Sequence, residues 1–356
     1  GLAKVEAISY TDMLFGGTYD KEQIDKNWLM VLHDQFHDIL PGSSIEEVYR
    51  LSAEDYVQIL DFVKAETASK LNSIASKVNT DGGVFVYNAL GFPRRAEIKV
   101  DGKHYVTDEK IPALGWKIIK PASHAPALVA TDRRLENELY IIDFDDAGRI
   151  VSLFDKRVNR NVIASPANEM RFSEDYPSNY DAWELEHDYA TKTYVQDSPA
   201  VSRIIEDGDR IGIRFERKYM NSSFAQTVWI YSGSPRIDIE NDFDWQERHQ
   251  IMKLAFPLDV RSQSATFEIQ YGHTQRPTHK NTSWDAAKFE VCAHKWVDIS
   301  ESGYGIAVLN DSKYGFSAEE NTITVSCLRG PTYPNKNADL GKHKFTISLL
   351  PHLGDI

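Results

Sequence analysis

Cysteine is close to absent from this chain: Cys292 and Cys327 are the only two, and they show no CxxC spacing. That scarcity excludes a disulfide framework and a thiolate zinc centre. It leaves open a single bridge beside two free, buried thiols. Long apolar runs are missing as well. No stretch approaches the roughly 18 consecutive apolar residues read as a membrane-spanning helix. Gly1–Glu6 carry no basic segment leading into an apolar run, as a secretory signal would. The expected localisation is therefore cytoplasmic. Three Asn-x-Ser/Thr triplets, beginning at Asn221, Asn281 and Asn310, arise too easily by chance to indicate secretion. A surplus of basic charge is the third absence. With 40 Lys and Arg against 53 Asp and Glu the net charge is −13, which argues against nucleic acid and acidic membrane surfaces as partners. No internal repeat and no low-complexity segment interrupts the chain.

What is present is enough apolar material, 42% over 356 residues, for two to three packed domains. The first eighty residues read as helical. From Lys21 to Phe36 the apolar positions Ile24, Trp28, Val31, Leu32 and Phe36 recur at intervals of three and four, one buried stripe of an amphipathic helix. Pro41-Gly42 stops it, since proline cannot continue the ladder and glycine takes positive φ. Ser43 or Ser44 then caps a second helix, with Glu46 or Glu47 favoured in its first turn by the macrodipole. Ile45, Val48, Tyr49, Tyr56, Ile59, Leu60, Val63, Leu71 and Ile74 carry that helix toward Lys77. Two long helices joined by a short turn predict an antiparallel pair from a helical bundle.

The pattern changes at Asn79-Thr80-Asp81-Gly82-Gly83, a turn-rich junction, and Val84 to Tyr87 follows as a short β-type run. Beyond it nearly every segment alternates. Ile211, Ile213, Phe215 and Tyr219 do so, then Ile237, Ile239, Phe243 and Trp245, then Met252, Leu254, Phe256 and Leu258. A period of two with one wet face marks antiparallel sheet, and so many strands in succession predict a sandwich of large sheets. The expected fold class is α+β, mainly β: a helix pair over 1–78, a small β segment or linker over 79–127, and a large β-sandwich over 128–356.

The stretch richest in chemistry is Trp28-Leu29-Met30-Val31-Leu32-His33-Asp34-Gln35-Phe36-His37-Asp38-Ile39-Leu40-Pro41-Gly42-Ser43-Ser44. It sets a His-Asp pair at the end of a buried helix, a rigid support for side chains in a cleft. His37 can ligate zinc through a neutral imidazole nitrogen, and His33, four residues earlier, can share its helical face. A capping or surface role fits the same spacing. Elsewhere, Asp145-Asp146-Ala147-Gly148 reads as a hairpin turn. Trp183, Tyr189 and Trp245 suit either sugar stacking or core packing. The loop from Arg276 to Trp284 gathers a guanidinium, an imidazole, an amide and an indole suited to a polyol. The same side chains also serve to hold a long loop in shape.

The run Gln35-Phe36-His37-Asp38-Ile39-Leu40-Pro41-Gly42-Ser43-Ser44 resembles the signature of glycoside hydrolase family 38, the α-mannosidases. Leu135-Glu136-Asn137-Glu138, Asp145 to Ile150, Phe154-Asp155-Lys156, Asp181-Ala182-Trp183, Arg276 to Asp285, Lys288-Phe289-Glu290, Tyr304-Gly305 and Pro351-His352 extend the resemblance along essentially the whole chain. The Arg276 to Trp296 stretch looks closest to the bacterial and the cytosolic or vacuolar branches. The resemblance implies a zinc-dependent retaining α-mannosidase acting on mannosyl oligosaccharides, with cobalt as an alternative metal. It implies His37 as a zinc ligand and Asp38 as a contact to sugar hydroxyls, with His33 a surface or packing residue. It also implies an aspartate nucleophile that binds the metal, an acid/base and a His-x-Asp pair on an upstream α/β barrel. Retaining glycosidases work with two carboxyl groups about 5 Å apart. The 34 residues before Gln35 cannot hold such a barrel. The chain is therefore expected to be a piece of the enzyme trimmed at both ends, with no catalytic residue, no bound metal and no activity of its own. Its expected partners are the sugar substrate, the missing barrel of the same protein and, through the helix pair, a second copy in a homo-oligomer. The alternatives are a non-catalytic carbohydrate-binding module and a structural or assembly module.

Overall fold

The computed structural model describes residues 1–121 and 128–356. The segment boundary expected at residue 127 therefore lies outside the described residues. The chain divides into two compact units, Gly1–Ser123 with Tyr333–Lys336, and His124–Thr332 with Asn337–Ile356.

The first unit opens with three helices, α1 (Leu2–Leu14), α2 (Lys21–Asp34) and α3 (Glu46–Ala75). Periodicity distinguishes only the last two. In α1 the buried face runs Leu2, Val5, Ile8, Ser9 and Asp12, so polar residues stand where an apolar repeat would continue. Asp12 nevertheless organises this unit. Its carboxylate accepts from Ser73 Oγ at 2.6 Å and lies 3.5 Å from Lys70 Nζ and 3.8 Å from Lys77 Nζ. Lys70 also donates to the Thr18 carbonyl at 2.6 Å. Gly17 is required beside them, because a Cβ there would sit 2.0 Å from the Asp12 carboxylate. Burial alone would raise the Asp12 carboxyl, but the Ser73 hydroxyl and the two ammonium groups outweigh it and hold it below the usual range.

Asp20 caps α2, accepting from the Gln23 N–H at 3.1 Å. Glu46 and Glu47 do occupy the first turn of α3, but its N-cap is Ile45, without a side-chain cap. Ser43 and Ser44 are not the cap, because both are engaged in the preceding turn. The apolar stripe is only partly covered. Ile24, Ile59 and Ile74 are buried, whereas Leu32, Phe36 and Leu60 are 56%, 54% and 62% exposed. After α3 come two small antiparallel pairs, Val84–Asn88 with Gly115–Ile119 and Glu97–Val100 with Lys103–Val106.

The second unit is predominantly antiparallel β, with one short helix at Ser283–Ala286 and a 3-10 turn at Tyr189–Lys192. Its nine-stranded sheet runs Val201–Asp207, Arg210–Tyr219, Ser222–Tyr231, Ile237–Trp245, Gly341–Leu353, Tyr304–Asn310, Trp296–Glu301, Ser264–Ile269, Gly272–Pro277. A six-stranded sheet has Glu169–Glu174, Gln250–Pro257 and Thr322–Leu328 as successive neighbours, and a five-stranded sheet includes Tyr140–Phe144 and Ile150–Asp155. One core joins their inner faces. Phe172 stacks near parallel to Trp245 at 6.2 Å, and Phe243 meets Phe224 and Phe345 edge-on at 4.7 and 5.3 Å. The Asp145–Gly148 turn joins Tyr140–Phe144 to Ile150–Asp155, and Arg149 binds Asp145 there at 2.7 Å. Gly148 has φ +75°, and a Cβ on it would meet Phe215 at 2.6 Å.

Two expectations need correction. In Gln250–Pro257 there is no wet face, since every residue from Ile251 to Pro257 is buried. On the side away from the core, Lys253 donates to Tyr189 Oη at 2.9 Å and bonds Glu290, whose other oxygen accepts from Ser326 at 3.2 Å. Burial pushes the Lys253 ammonium down against the opposing pull of Glu290, and burial also raises the Tyr189 phenol, with Glu290 adding to the rise. The thiols are both free, but only Cys327 is buried, its pKa pushed up to about 12 by desolvation, while Cys292 is exposed.

Candidate functional site

The His-Asp pair lies in the turn between α2 and α3. Although the apolar phase runs on to Phe36, the helix stops at Asp34. The Phe36 N–H turns back to the His33 carbonyl, and the N–H groups of Ile39 and Leu40 both reach the Phe36 carbonyl at 2.9 and 3.0 Å. His37 therefore does not share a helical face with His33. The Ser43 N–H and the Tyr49 hydroxyl both donate to the Asp38 carbonyl at 3.1 Å. Tyr49 Oη in turn accepts from the Ser44 N–H at 2.8 Å, and Ser43 Oγ donates to Asp38 Oδ1 at 3.1 Å. Gly42, at φ +89°, closes the turn in the left-handed region. Each polar residue of Asp38 to Ser44 thus holds the loop or the carboxylate.

The result is a rigid Asp38 with one oxygen fixed by Ser43 and the other 3.5 Å from His37 Nε2. The His37 side chain is 77% exposed, against 36% for Asp38, and its ring lies 4.2 Å from that of Phe36. Together they offer an imidazole nitrogen and a hydrogen-bonding carboxylate to whatever faces the turn.

A zinc ion needs three or four protein ligands, and His37 offers one. Among the described residues, the one group of three candidate ligands is His33, Asp34 and Asp55, whose donor atoms lie within 4.8 Å of one another. His37 is outside it. Asp34 is buried there, accepting from Ser52 Oγ at 2.9 Å, and lies 3.3 Å from His33 Nδ1. The donor set around His37 therefore does not complete a zinc shell from this chain alone.

The other candidates are dispersed over the β unit. Trp245 is fully buried in the core, Tyr189 is fixed by Glu290 and Lys253, and Trp183 is 47% exposed. In the Arg276 to Trp284 loop, Arg276 lies 4.5 Å over Phe267 and donates to the Cys292 carbonyl at 3.3 Å. Thr278 donates to the Ser262 carbonyl, Thr282 caps Ser283–Ala286, and His279 lies 3.8 Å from Asp285. Most of its polar groups hold the loop, and Trp284, 80% exposed, projects from it. Sequence reasoning missed Tyr49 as the clamp on Asp38 and the His33–Asp34–Asp55 group. Tyr49 counts there as one more member of an apolar stripe, so nothing local marks its hydroxyl.

Helices closed by a clamped His-Asp turn are thus followed by an antiparallel β unit of several sheets, a two-part module. Residues 1–74 match the family described as alpha mannosidase middle domain, and residues 135–337 match the glycosyl hydrolases family 38 C-terminal domain. The chain belongs to glycosyl hydrolase family 38. It is 32% identical over 359 residues to alpha-mannosidase 2C1 of Homo sapiens, covering 94% of this chain and 34% of the relative. It is 30% identical to an alpha-mannosidase of Saccharomyces cerevisiae, covering 94% of this chain and 31% of that protein. The chain thus spans about a third of the length of the curated relatives it matches. An alpha-mannosidase from Enterococcus faecalis V583 shares the fold over 98% of this chain and 52% of its own, with TM-score 0.80 at 13% identity.

Proposed function

We propose that the polypeptide to which this chain belongs is a zinc-dependent, retaining α-mannosidase that removes terminal α-mannosyl residues from oligosaccharides, and that the 356-residue chain alone is inactive. The observation that carries the reading is the clamped His37–Asp38 turn in a family 38 module. His37 would supply one zinc ligand, and Asp38 would bond sugar hydroxyls. The metal's other ligands and both reacting carboxylates would come from an α/β barrel elsewhere in the same protein. Zinc would contribute Lewis-acid stabilisation of charge at the sugar when bound. Leu32, Phe36 and Leu60, uncovered on α2, the turn and α3, are the surface we assign to that barrel. Their exposure is unusual for residues in apolar register, and a packed neighbour would account for it.

The test compares this chain with the full-length protein on an aryl α-mannoside, each with zinc added. The full-length protein should hydrolyse it with retention of configuration, and the chain should not. In the full-length protein, His37→Ala should lower activity more than about 100-fold, since even residues behind a metal's ligands cost about 10–100-fold. Asp38→Asn should lower kcat as well as raise KM. Hydrolysis by the purified chain, or an undiminished His37→Ala enzyme, would sink the proposal.

A further inference from the structure

The β unit carries a second cluster of aromatic and carboxylate groups, on the segment from Glu174 to Lys192. This segment is fastened at several points. Asp175, buried, pairs with Arg329, which donates at 3.0 Å from Nη2 and also bonds the Glu184 carbonyl. Asp181 accepts from the Thr332 N–H at 2.6 Å and from its hydroxyl at 3.0 Å. Tyr180 sits at φ +50°, with its carbonyl taking the N–H groups of both Trp183 and Glu184. A left-handed conformation is costly for a residue with a Cβ. His249, at φ +54°, is held likewise, and its ring stacks on Tyr176 at 4.4 Å and 18°.

The segment so fixed exposes rings instead of burying them. Tyr176 is 70% exposed although one face rests on His249, and Tyr180 and Trp183 are 60% and 47% exposed. Beside Tyr176 lies a cavity of about 180 Å³, lined also by Glu174, Glu186, Asp188 and Tyr189. That is below the roughly 300–1,000 Å³ of pockets for drug-sized ligands. At about 30 Å³ per water it holds about six, the size of one sugar ring.

The charge balance narrows the ligand further. Glu174 is paired with Lys192 at 2.8 Å and Asp175 with Arg329, so two of the carboxylates at the cavity are already neutralised. Glu186 accepts only a backbone N–H, from Ser178 at 3.2 Å, and Asp188 is exposed. Anions are disfavoured by this wall, and half of its carboxylates, Glu174 and Asp175, are already held by cations of the chain itself. A neutral ring with an apolar C–H face for Tyr176 and a rim of hydroxyl donors for Glu186 and Asp188 satisfies both surfaces.

We propose that the cavity beside Tyr176 binds one pyranose unit of a neutral oligosaccharide, with Tyr176 as the stacking platform and Glu186 and Asp188 as hydroxyl acceptors. The inference deepens the glycosidase reading by giving the β unit its own sugar contact, yet its test needs no catalysis. The 356-residue chain is titrated with methyl α-D-mannopyranoside and with an α-linked mannobiose, read by saturation-transfer NMR and by intrinsic fluorescence. Weak, saturable binding is expected. Tyr176→Ala should weaken it roughly tenfold, Glu186→Gln should weaken it several-fold, and Tyr271→Ala, at an exposed hairpin tip, should leave it unchanged. Unfolding midpoints of the variants, checked in parallel, should match the parent chain. No saturable binding, binding indifferent to Tyr176→Ala, or a response to calcium in place of sugar would each overturn the proposal. A full-length enzyme that hydrolyses mannosides while this chain binds none defeats the inference alone. A chain that binds sugar while the full-length protein hydrolyses no mannoside defeats only the glycosidase reading.

Discussion

Ile24, Ile59 and Ile74 are the only apolar side chains that α2 and α3 bury outright. The single strand Ile237–Trp245 buries Ile237, Ile239, Phe243 and Trp245. The helical unit leaves Leu32, Leu40 and Leu60 more than half exposed and buries, beside Leu2, Val5 and Ile8 of α1, a carboxylate, Asp12, with its serine and lysine partners. The β unit closes around interlocked rings. A fold held by rings loses stability when volume is removed, whereas one held by a buried charge loses it when that charge is removed or titrated. The two units should therefore answer to different perturbations.

The largest effect is expected from Phe243→Ala, which removes a ring packed edge-on against two others and leaves a cavity. It should lower the stability of the β unit by about 3–5 kcal/mol, read by urea unfolding with near-ultraviolet circular dichroism. The helical signal at low urea should hardly change. One transition in which helix and sheet shift together would break the distinction between the units.

Next comes Asp12→Asn, which leaves Lys70 with Glu66, 3.4 Å away, as its remaining carboxylate partner and should cost the helical unit about 1–3 kcal/mol. The same carboxylate gives a pH signature. Because its folded pKa is depressed, its contribution is present above the unfolded value near 3.9 and is lost as pH falls through the folded one. Acid should accordingly weaken the helical unit, and Asp12→Asn should remove that part of its acid sensitivity. Equal acid sensitivity in the variant would show that another group controls it.

The smallest effect belongs to the β unit and has the opposite sign. His352 Nε2 lies 2.8 Å from the buried Asp298 carboxylate, and that hydrogen bond, against some desolvation, raises the imidazole above its ordinary value. Its contribution, about 1 kcal/mol, is therefore present below the unfolded pKa near 6.5 and lost as pH rises through the folded value. Thermal unfolding of the β unit should weaken modestly on the alkaline side, and His352→Gln should flatten the dependence. A profile unchanged by that substitution would rule the pair out as its source.

Much of this architecture is legible in the sequence. Alternation at Ile211–Tyr219 and Ile237–Trp245 identified strands, and the change of period near residue 80 separated helix from sheet. Strand neighbours were not legible. Gly341–Leu353 lies between Ile237–Trp245 and Tyr304–Asn310, and alternation specifies which face a residue takes but not which strand lies alongside. Helix α1 escaped because Ser9 and Asp12 occupy its buried face, so its core is partly ionic where pattern reading expects carbon. In the candidate site, the turn and its Asp38 were legible from Pro41-Gly42 and the family signature. The loss of the shared His33–His37 face was not, because the apolar phase through Phe36 carries no sign that the backbone has already begun to fold back.

The double bond-making of Tyr49 has a further meaning for how the turn is gauged. Its phenol spans from the Asp38 carbonyl to the Ser44 N–H, so the orientation of the loop is keyed to the angular phase of α3. Each residue advances a helix by about 100°. One residue added or removed between Ser44 and Tyr49 would swing the hydroxyl away from both partners while leaving every residue of the His-Asp signature in place. The signature's reach thus extends into the first turn of α3, as a measured distance rather than as a further letter.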